Sequence, residues 1–392
     1  MKKFIAIPII FFLLSSAILV GALVYSHTNF FGVGVNQTRL KVKAVPAAVE
    51  SEQNKFAKEV ASERAPEPLA QPLTPRRPAE TEEVSMIAVG DIMLSRNVAA
   101  KIKKFKDFNY PFASTSAYLK SADFVFGNLE SPITLGPVVL TGSFTFHADP
   151  GAEIALATAN FKVLSLANNH LPNYGAVGIA DTIKYLNEAG IAHAGAGKNL
   201  AEASLPARLD FKGIKFAFLA YNDSDVAPPG YGAAAGRAGT VLMDITKMQA
   251  AVSAAKKQAD LVIVSMHSGK EYTEELTRSQ TAFAHAAVDA GAELVLGHHP
   301  HVTQRVEKYK DKYIYYSLGN FIFDQMWSEE TRRGVAVKFY FNVAGLLRAE
   351  VQPLLIMDYS RPVLAEQKIA EAIYRRLRIE PTGSLIKLMP VD

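Results

Sequence analysis

From Val84 onward, short apolar runs with strand character alternate with longer helical patterns. Strands are predicted over 85–89, 124–126, 163–167, 215–221, 261–267 and 293–296. Helices are predicted over 152–160, 176–189, 245–257 and 279–290. Strands separated by helices imply an α/β domain with parallel pairing. Further on, 312–317, 335–342 and 348–356 read as strands with little helix between them, which predicts added sheet or antiparallel edges. A last helical pattern covers 365–377, and no fixed-period repeat is present.

Five of these runs end in groups that can do chemistry. They finish in Gly90-Asp91, in Gly127-Asn128-Leu129-Glu130, in Asn168-Asn169-His170, in His267, and in Gly297-His298-His299-Pro300-His301. In α/β sheets functional groups gather at the carboxyl ends of strands. A single strand-end Asn or Asp also serves as a helix cap; repetition over five strands points to a site. The chain has no cysteine, which excludes disulfides, thiolate ligands and a cysteine nucleophile. Imidazole, carboxylate and amide donors suit Mn, Zn or Fe. A two-metal hydrolytic site needs a bridging carboxylate, imidazole ligands and an activated water. Asp91 and Glu130 can supply carboxylates, and Asn169, His267, His299 and His301 neutral ligands. His170 could protonate a leaving oxygen or stabilise charge. Asn128, Asn168, Glu271, His298 and Asn320 are candidate substrate contacts. An extended segment would point His299 and His301 the same way and His298 the other. Spacing leaves the division of roles open. His27, His147, His193 and His285 read as structural, and Gly195-Ala196-Gly197 as a turn. No Gly-x-Ser-x-Gly elbow surrounds Ser317, which argues against a serine nucleophile.

The N-terminus has another character. Lys2 and Lys3 precede an uncharged run over 4–25, and about 20 apolar residues suffice to span a bilayer. The length of the run favours an anchor over a cleaved signal peptide. Residues 1–27 are thus expected to form a single transmembrane helix in the cell membrane with the rest extracytoplasmic. Residues 28–83, rich in Pro, Ala and Glu, are expected to be a disordered stalk. The folded domain is expected over 84–360, with a helical extension over 361–392. A net charge of +4 over 392 residues offers no argument for a nucleic-acid partner.

Six ordered motifs, 90–96, 127–133, 166–170, 267–272, 297–302 and 316–321, are similar to those of the CapA-like proteins of poly-γ-glutamate capsule synthesis. The resemblance implies the calcineurin-like metallophosphoesterase fold, a four-layer α/β/β/α sandwich around two divalent metals. It also implies a membrane-tethered protein whose partners are a polyanionic polymer, poly-γ-glutamate, or a phosphate ester, and membrane synthetase subunits. Departures are visible. The metallophosphoesterase Asp-x-His becomes Asp91-Ile92-Met93, and its Gly-Asp becomes Gly127-Asn128 with Glu130 two residues on. Asn168-Asn169-His170 corresponds to Gly-Asn-His, and the final Gly-His-x-His gains a residue. Asn173 and Ser268 stand where the CapA-like family usually has Asp and Trp. Three functions follow: a metal-dependent hydrolase or transfer enzyme, a non-catalytic subunit binding polymer or synthetase, or a phosphodiesterase on another ester. The ligand-type residues favour chemistry; the missing histidine and Asn173 favour the accessory role.

Overall fold

The computed structural model describes residues 82–139 and 144–380, together with the backbone of a short strand at Lys387–Leu388. The expected anchor, and all of the stalk but its last two residues, lie outside the described residues. Among the described residues no helix is long and apolar enough to cross a membrane.

The strands are, in chain order, β1 (Val84–Ile92), β2 (Phe124–Leu129), β3 (Phe161–Ser165), β4 (Ala192–Ala194), β5 (Ala196–Gly197), β6 (Ala207–Phe211), β7 (Ile214–Asn222), β8 (Gly239–Thr240) and β9 (Leu261–His267). Then come β10 (Leu294–His298), β11 (Val306–Tyr309), β12 (Lys312–Tyr315), β13 (Asn320–Ile322), β14 (Arg333–Asn342), β15 (Gly345–Met357) and β16 (Arg361–Leu364). One sheet runs β16-β15-β14-β1-β2-β3-β4, with β13 also paired to β1. A second runs β11-β12-β10-β9-β7-β6. Within the first, β1 to β4 are parallel and β14, β15 and β16 add antiparallel strands. Within the second, β7, β9, β10 and β12 are parallel, and β6 and β11 are antiparallel edges.

Alternation along the strands sorts the apolar residues into three cores. Met86, Ala88, Phe124 and Phe126 of the first sheet meet Phe216, Phe218, Ile263 and Leu296 of the second. The other face of the first sheet, with Ile87, Val89 and Val125, packs on the helices Arg96–Phe105, Ala152–Thr158 and Gly175–Glu188. The outer face of the second, with Leu219, Val262 and Val264, packs on Ile245–Lys256 and Arg278–Asp289. The result is two facing sheets with helices outside both. Asp244 caps one of these helices through Lys247 N–H, and Thr277 with Gln280 forms a capping box on the other.

Several elements differ from expectation. β6 (ARLDF) buries only Ala207 and half-buries Leu209 and Phe211, so its apolar content is too low to stand out in sequence. The helix Arg96–Phe105 carries four lysines or arginines and only three apolar residues of any size, which masked its amphipathic pattern. Residues 361–380 open with β16, which pairs with β15. The helix Gln367–Leu377 then sends Ile373 and Leu377 into the core between the sheets.

Candidate functional site

The parallel strands of both sheets bring their carboxyl ends to one place. β1 reaches it first. Asp91 N–H donates to Gly319 O at 3.0 Å, joining β1 to β13. The fully buried Asp91 carboxylate accepts from Asn128 Nδ2 at 2.8 Å and from His299 N–H at 3.2 Å. His301 Nδ1 lies 3.3 Å away and His298 Nδ1 3.4 Å. Burial pushes this carboxyl up, but the hydrogen bonds and charge of His298 and His301 hold it well below the carboxylate range. Glu130 is shifted the other way. Burial first, then the negative charges of Asp91 and Glu271, raise it well above its ordinary value. Its Oε1 has no hydrogen-bond partner. Around that atom stand His301 Nε2 at 3.7 Å, His267 Nε2 at 4.0 Å and His170 Nε2 at 4.0 Å.

The histidine segment is a turn rather than an extended run. His299 has φ 95 and His301 φ 58, so alternation fails there. His298, expected to face away, is instead fully buried beside Asp91, its Nδ1 3.4 Å from that carboxylate. Asn128 Nδ2 lies 3.3 Å from His267 Nδ1, which makes that nitrogen the acceptor. His267 Nε2–H then faces Asn169 Oδ1 at 3.0 Å and His299 Nδ1 at 3.2 Å. Burial lowers His267 well below the ordinary histidine value and His299 to about 3. Both rings are therefore neutral, the form that binds metal. His301 Nδ1 donates to Asn320 Oδ1 at 3.0 Å, which aims Nε2 at Glu130.

His170 sits at the cleft wall, stacked on Phe146 at 3.9 Å. Its Nδ1 donates to Asn173 Oδ1 at 3.0 Å. Burial lowers it to about 4, against the opposing pull of the Asn173 hydrogen bond. Asn173 is itself held by Phe146 N–H at 2.9 Å and by Tyr231 Oη at 3.2 Å.

Three of the five expected substrate contacts are hydrogen-bonded within the site. Asn128 joins Asp91 to Asn168, and Asn168 accepts from His170 N–H and Leu171 N–H while donating to Leu129 O. Asn320 spends its amide on Gln325 and Thr331 O. With His298 these are fully or almost fully buried and lie behind the residues that line the open cleft. Glu271 alone of that set lines the open cleft, a cavity of about 530 Å³ that Asn169, His170 and His301 also line. Arg96, Tyr272, Phe323, Asp324, Gln325 and Trp327 are among its other lining residues and are not marked as site residues by the sequence. Arg96 and Tyr272 close the 90–96 and 267–272 motifs, the one sequence signal for them. Met93, at the position of the missing histidine, is buried in the helix-side core. His147 contacts Tyr174 Oη at 2.8 Å and His285 pairs with Glu307 at 2.9 Å, both outside the cleft. His27 lies outside the described residues.

Two groups are compact enough to hold cations. Asp91, Glu130 and His301 offer ligand atoms within 4.8 Å of one another, as do Glu271, His299 and His301. The donors are carboxylates and neutral imidazoles, and an unpartnered buried carboxylate oxygen sits among three ring nitrogens. That donor set fits divalent Mn, Zn or Fe.

Residues 85–325 match the family of bacterial capsule synthesis proteins called PGA_cap. The chain belongs to that family. It is 36% identical over 313 residues to the capsule biosynthesis protein CapA of Bacillus anthracis, covering 78% of this chain and 75% of that one. It is 33% identical over 309 residues to the PGA biosynthesis protein CapA of Bacillus subtilis (strain 168), covering 78% and 80%. A probable polyglutamine synthesis accessory protein of Mycobacterium tuberculosis is 31% identical over 263 residues, covering 64% and 69%. In this PGA_cap protein the matched segment starts in β1 and ends at Gln325 in the cleft wall, so it contains every residue of the cluster.

Proposed function

We propose that this protein is a membrane-anchored, extracytoplasmic component of poly-γ-glutamate synthesis that hydrolyses or transfers the polymer or a precursor with the help of divalent cations. The observation that carries the reading is Glu130 Oε1, buried without a partner and ringed by the Nε2 atoms of three histidines from different strand ends. A protein built only to bind a polymer at its surface has no reason to bury such a set. The relatives named for capsule and PGA biosynthesis supply the substrate class, and the metallophosphoesterase-like sandwich is the fold in which this chemistry is expected. The anchor proposed for residues 1–27 would hold the domain beside a membrane synthetase.

Asp91, Glu130, Asn169, His267, His299 and His301 would hold the cations, two of them by the resemblance. Bound divalent metal supplies Lewis acidity and an activated water. The protein's own residues do the rest. Asn320 fixes the tautomer of His301, leaving its Nε2 lone pair free to bind, whereas His267 would have to give up its Nε2 proton to bind a cation there. His170, tied through Nδ1 to Asn173, keeps Nε2 as the atom that takes or gives a proton at the cleft wall. Its environment keeps the ring neutral at neutral pH, so it acts first as an acceptor.

The accessory reading has its own support. Met93 replaces a ligand-type histidine, Asn173 gives His170 a neutral partner, and one relative is named an accessory protein. Elemental analysis of the full-length protein tests the metal-dependent reading. Wild type should carry divalent metal, and Asp91→Ala and His301→Ala should lose it while remaining folded. Wild type without metal after purification and reloading, or variants with full metal content, would overturn it.

A further inference from the structure

Arg96 is the one Arg or Lys among the described residues that line the cleft. Arg96 has φ 49, a left-handed backbone that a non-glycine residue adopts at a cost. Its guanidinium lies 4.6 Å from the Phe146 ring centre and 5.8 Å from that of Phe323. Nη2 is paired with Asp324, whose other oxygen accepts from Asn97 N–H at 3.2 Å and from Asn97 Nδ2 at 3.0 Å. The planar fork is thus gripped on one edge and flanked by two aromatic rings, which removes the rotamer entropy a ligand would otherwise have to overcome. It still lines the cleft, with 29% of its side chain exposed. Across the mouth, Tyr272 and Trp327 meet edge to face at 4.7 Å, and Gln325 Nε2 holds Tyr272 Oη at 3.2 Å. Trp327 is 64% exposed.

We propose that Arg96 is the carboxylate-recognition residue of this cleft, receiving the α-carboxylate of a γ-linked glutamyl unit on the terminal guanidinium N–H groups that Asp324 leaves free, its Nε being buried, while the Tyr272–Trp327 pair packs on the unit's methylenes. The proposal rests on the polymer reading above and adds to it the residue that reads the polymer's repeating charge. A γ-linked chain presents one free carboxylate and two methylenes per residue, and the cleft offers one fork and one aromatic corner. Arg96 acts electrostatically on Glu130, His170 and Tyr272, so its charge is felt throughout the cleft. A carboxylate held there lies in the same cleft as His170 and Glu271.

Trp327 is the only tryptophan in the chain, so its emission reports on this cleft without a label. Full-length protein is titrated with a short γ-linked glutamate oligomer and, separately, with inorganic phosphate. Wild type should give a saturable change with the oligomer. Arg96→Met should weaken it about 10- to 100-fold, the range for a hydrogen bond to a charged group. Arg96→Lys keeps a cation for Asp324 and should fall between, since an ammonium cannot reproduce the fork; it also carries the test should Arg96→Met fail to fold by circular dichroism. Equal oligomer affinity in wild type and the folded variants would overturn the subsite and leave the polymer reading standing. A response to phosphate that depends on Arg96, with none to the oligomer, would overturn the carboxylate assignment and the polymer reading together.

Discussion

Replacing Gly90 with alanine asks whether the cluster is held by the close approach of two strands or by the ligands alone. Gly90 precedes Asp91 where β1 runs beside the segment leading into β13. A Cβ there would stand 1.8 Å from Gly319 O and 2.8 Å from Gly319 C, both backbone atoms. No side-chain rotation relieves that, so the β13 segment must retreat by more than an ångström. The Asp91 N–H bond to Gly319 O, 3.0 Å in the native protein, is then lost. A buried hydrogen bond contributes about 1 kcal/mol, and overpacking costs about 1–3 kcal/mol. For a domain of this size each kcal/mol lowers Tm by about 2–4 °C, so a fall of roughly 5–15 °C is expected. Asn320, paired in register with Asp91, moves with β13 and loosens its hold on His301, so metal content should fall as well. Gly236→Ala is the control: nothing lies within 4 Å of its added Cβ, and it should stay within about 0.5 kcal/mol of wild type. Thermal melts followed by circular dichroism, with elemental analysis on the same samples, measure both effects. A Gly90→Ala protein that melts with wild type and keeps its metal would refute the reasoning.

His170→Ala should keep metal and fold, yet lower polymer production about 100- to 10,000-fold if the residue handles a proton; unchanged output at normal protein level supports the accessory role. In metal-free protein, His170 sits near 4 when folded and near 6.5 when unfolded, so the unfolded chain binds more protons between those values and stability falls as pH drops through that window. The loss is on the order of 3 kcal/mol, and urea midpoints of chelator-treated His170→Ala should show a shallower slope there; an identical slope would assign the effect elsewhere. Asn173→Asp places a carboxylate on His170 Nδ1 and should raise its pKa above about 4 in an imidazole NMR titration, with no rise counting against the contact. Protease added to intact cells should release the domain by cutting within 47–83; protection until the membrane is breached would exclude the proposed topology.

The sequence by itself determined the alternation of strands and helices and the kind of groups at the strand ends. Both follow from local rules: apolar runs make strands, and the residue that ends a parallel strand emerges at the sheet's carboxyl edge. That is why Asp91, Asn128, Glu130, Asn169, His170, His267 and His301 could be named together from sequence. Tertiary structure decided which of them face a ligand and which brace their neighbours. An amide at a strand end is chemically ambiguous, and only the structure shows that Asn128, Asn168 and Asn320 are buried and hydrogen-bonded to their neighbours. His298 could not be placed because side-chain alternation assumes an extended backbone, and positive φ at His299 and His301 turns the segment. That Arg96, Tyr272 and Trp327 form one cleft wall was hidden too, although the first two close the 90–96 and 267–272 motifs. Its residues come from segments far apart in the chain, and nothing local marks an arginine that will be gripped by an aspartate 228 residues later.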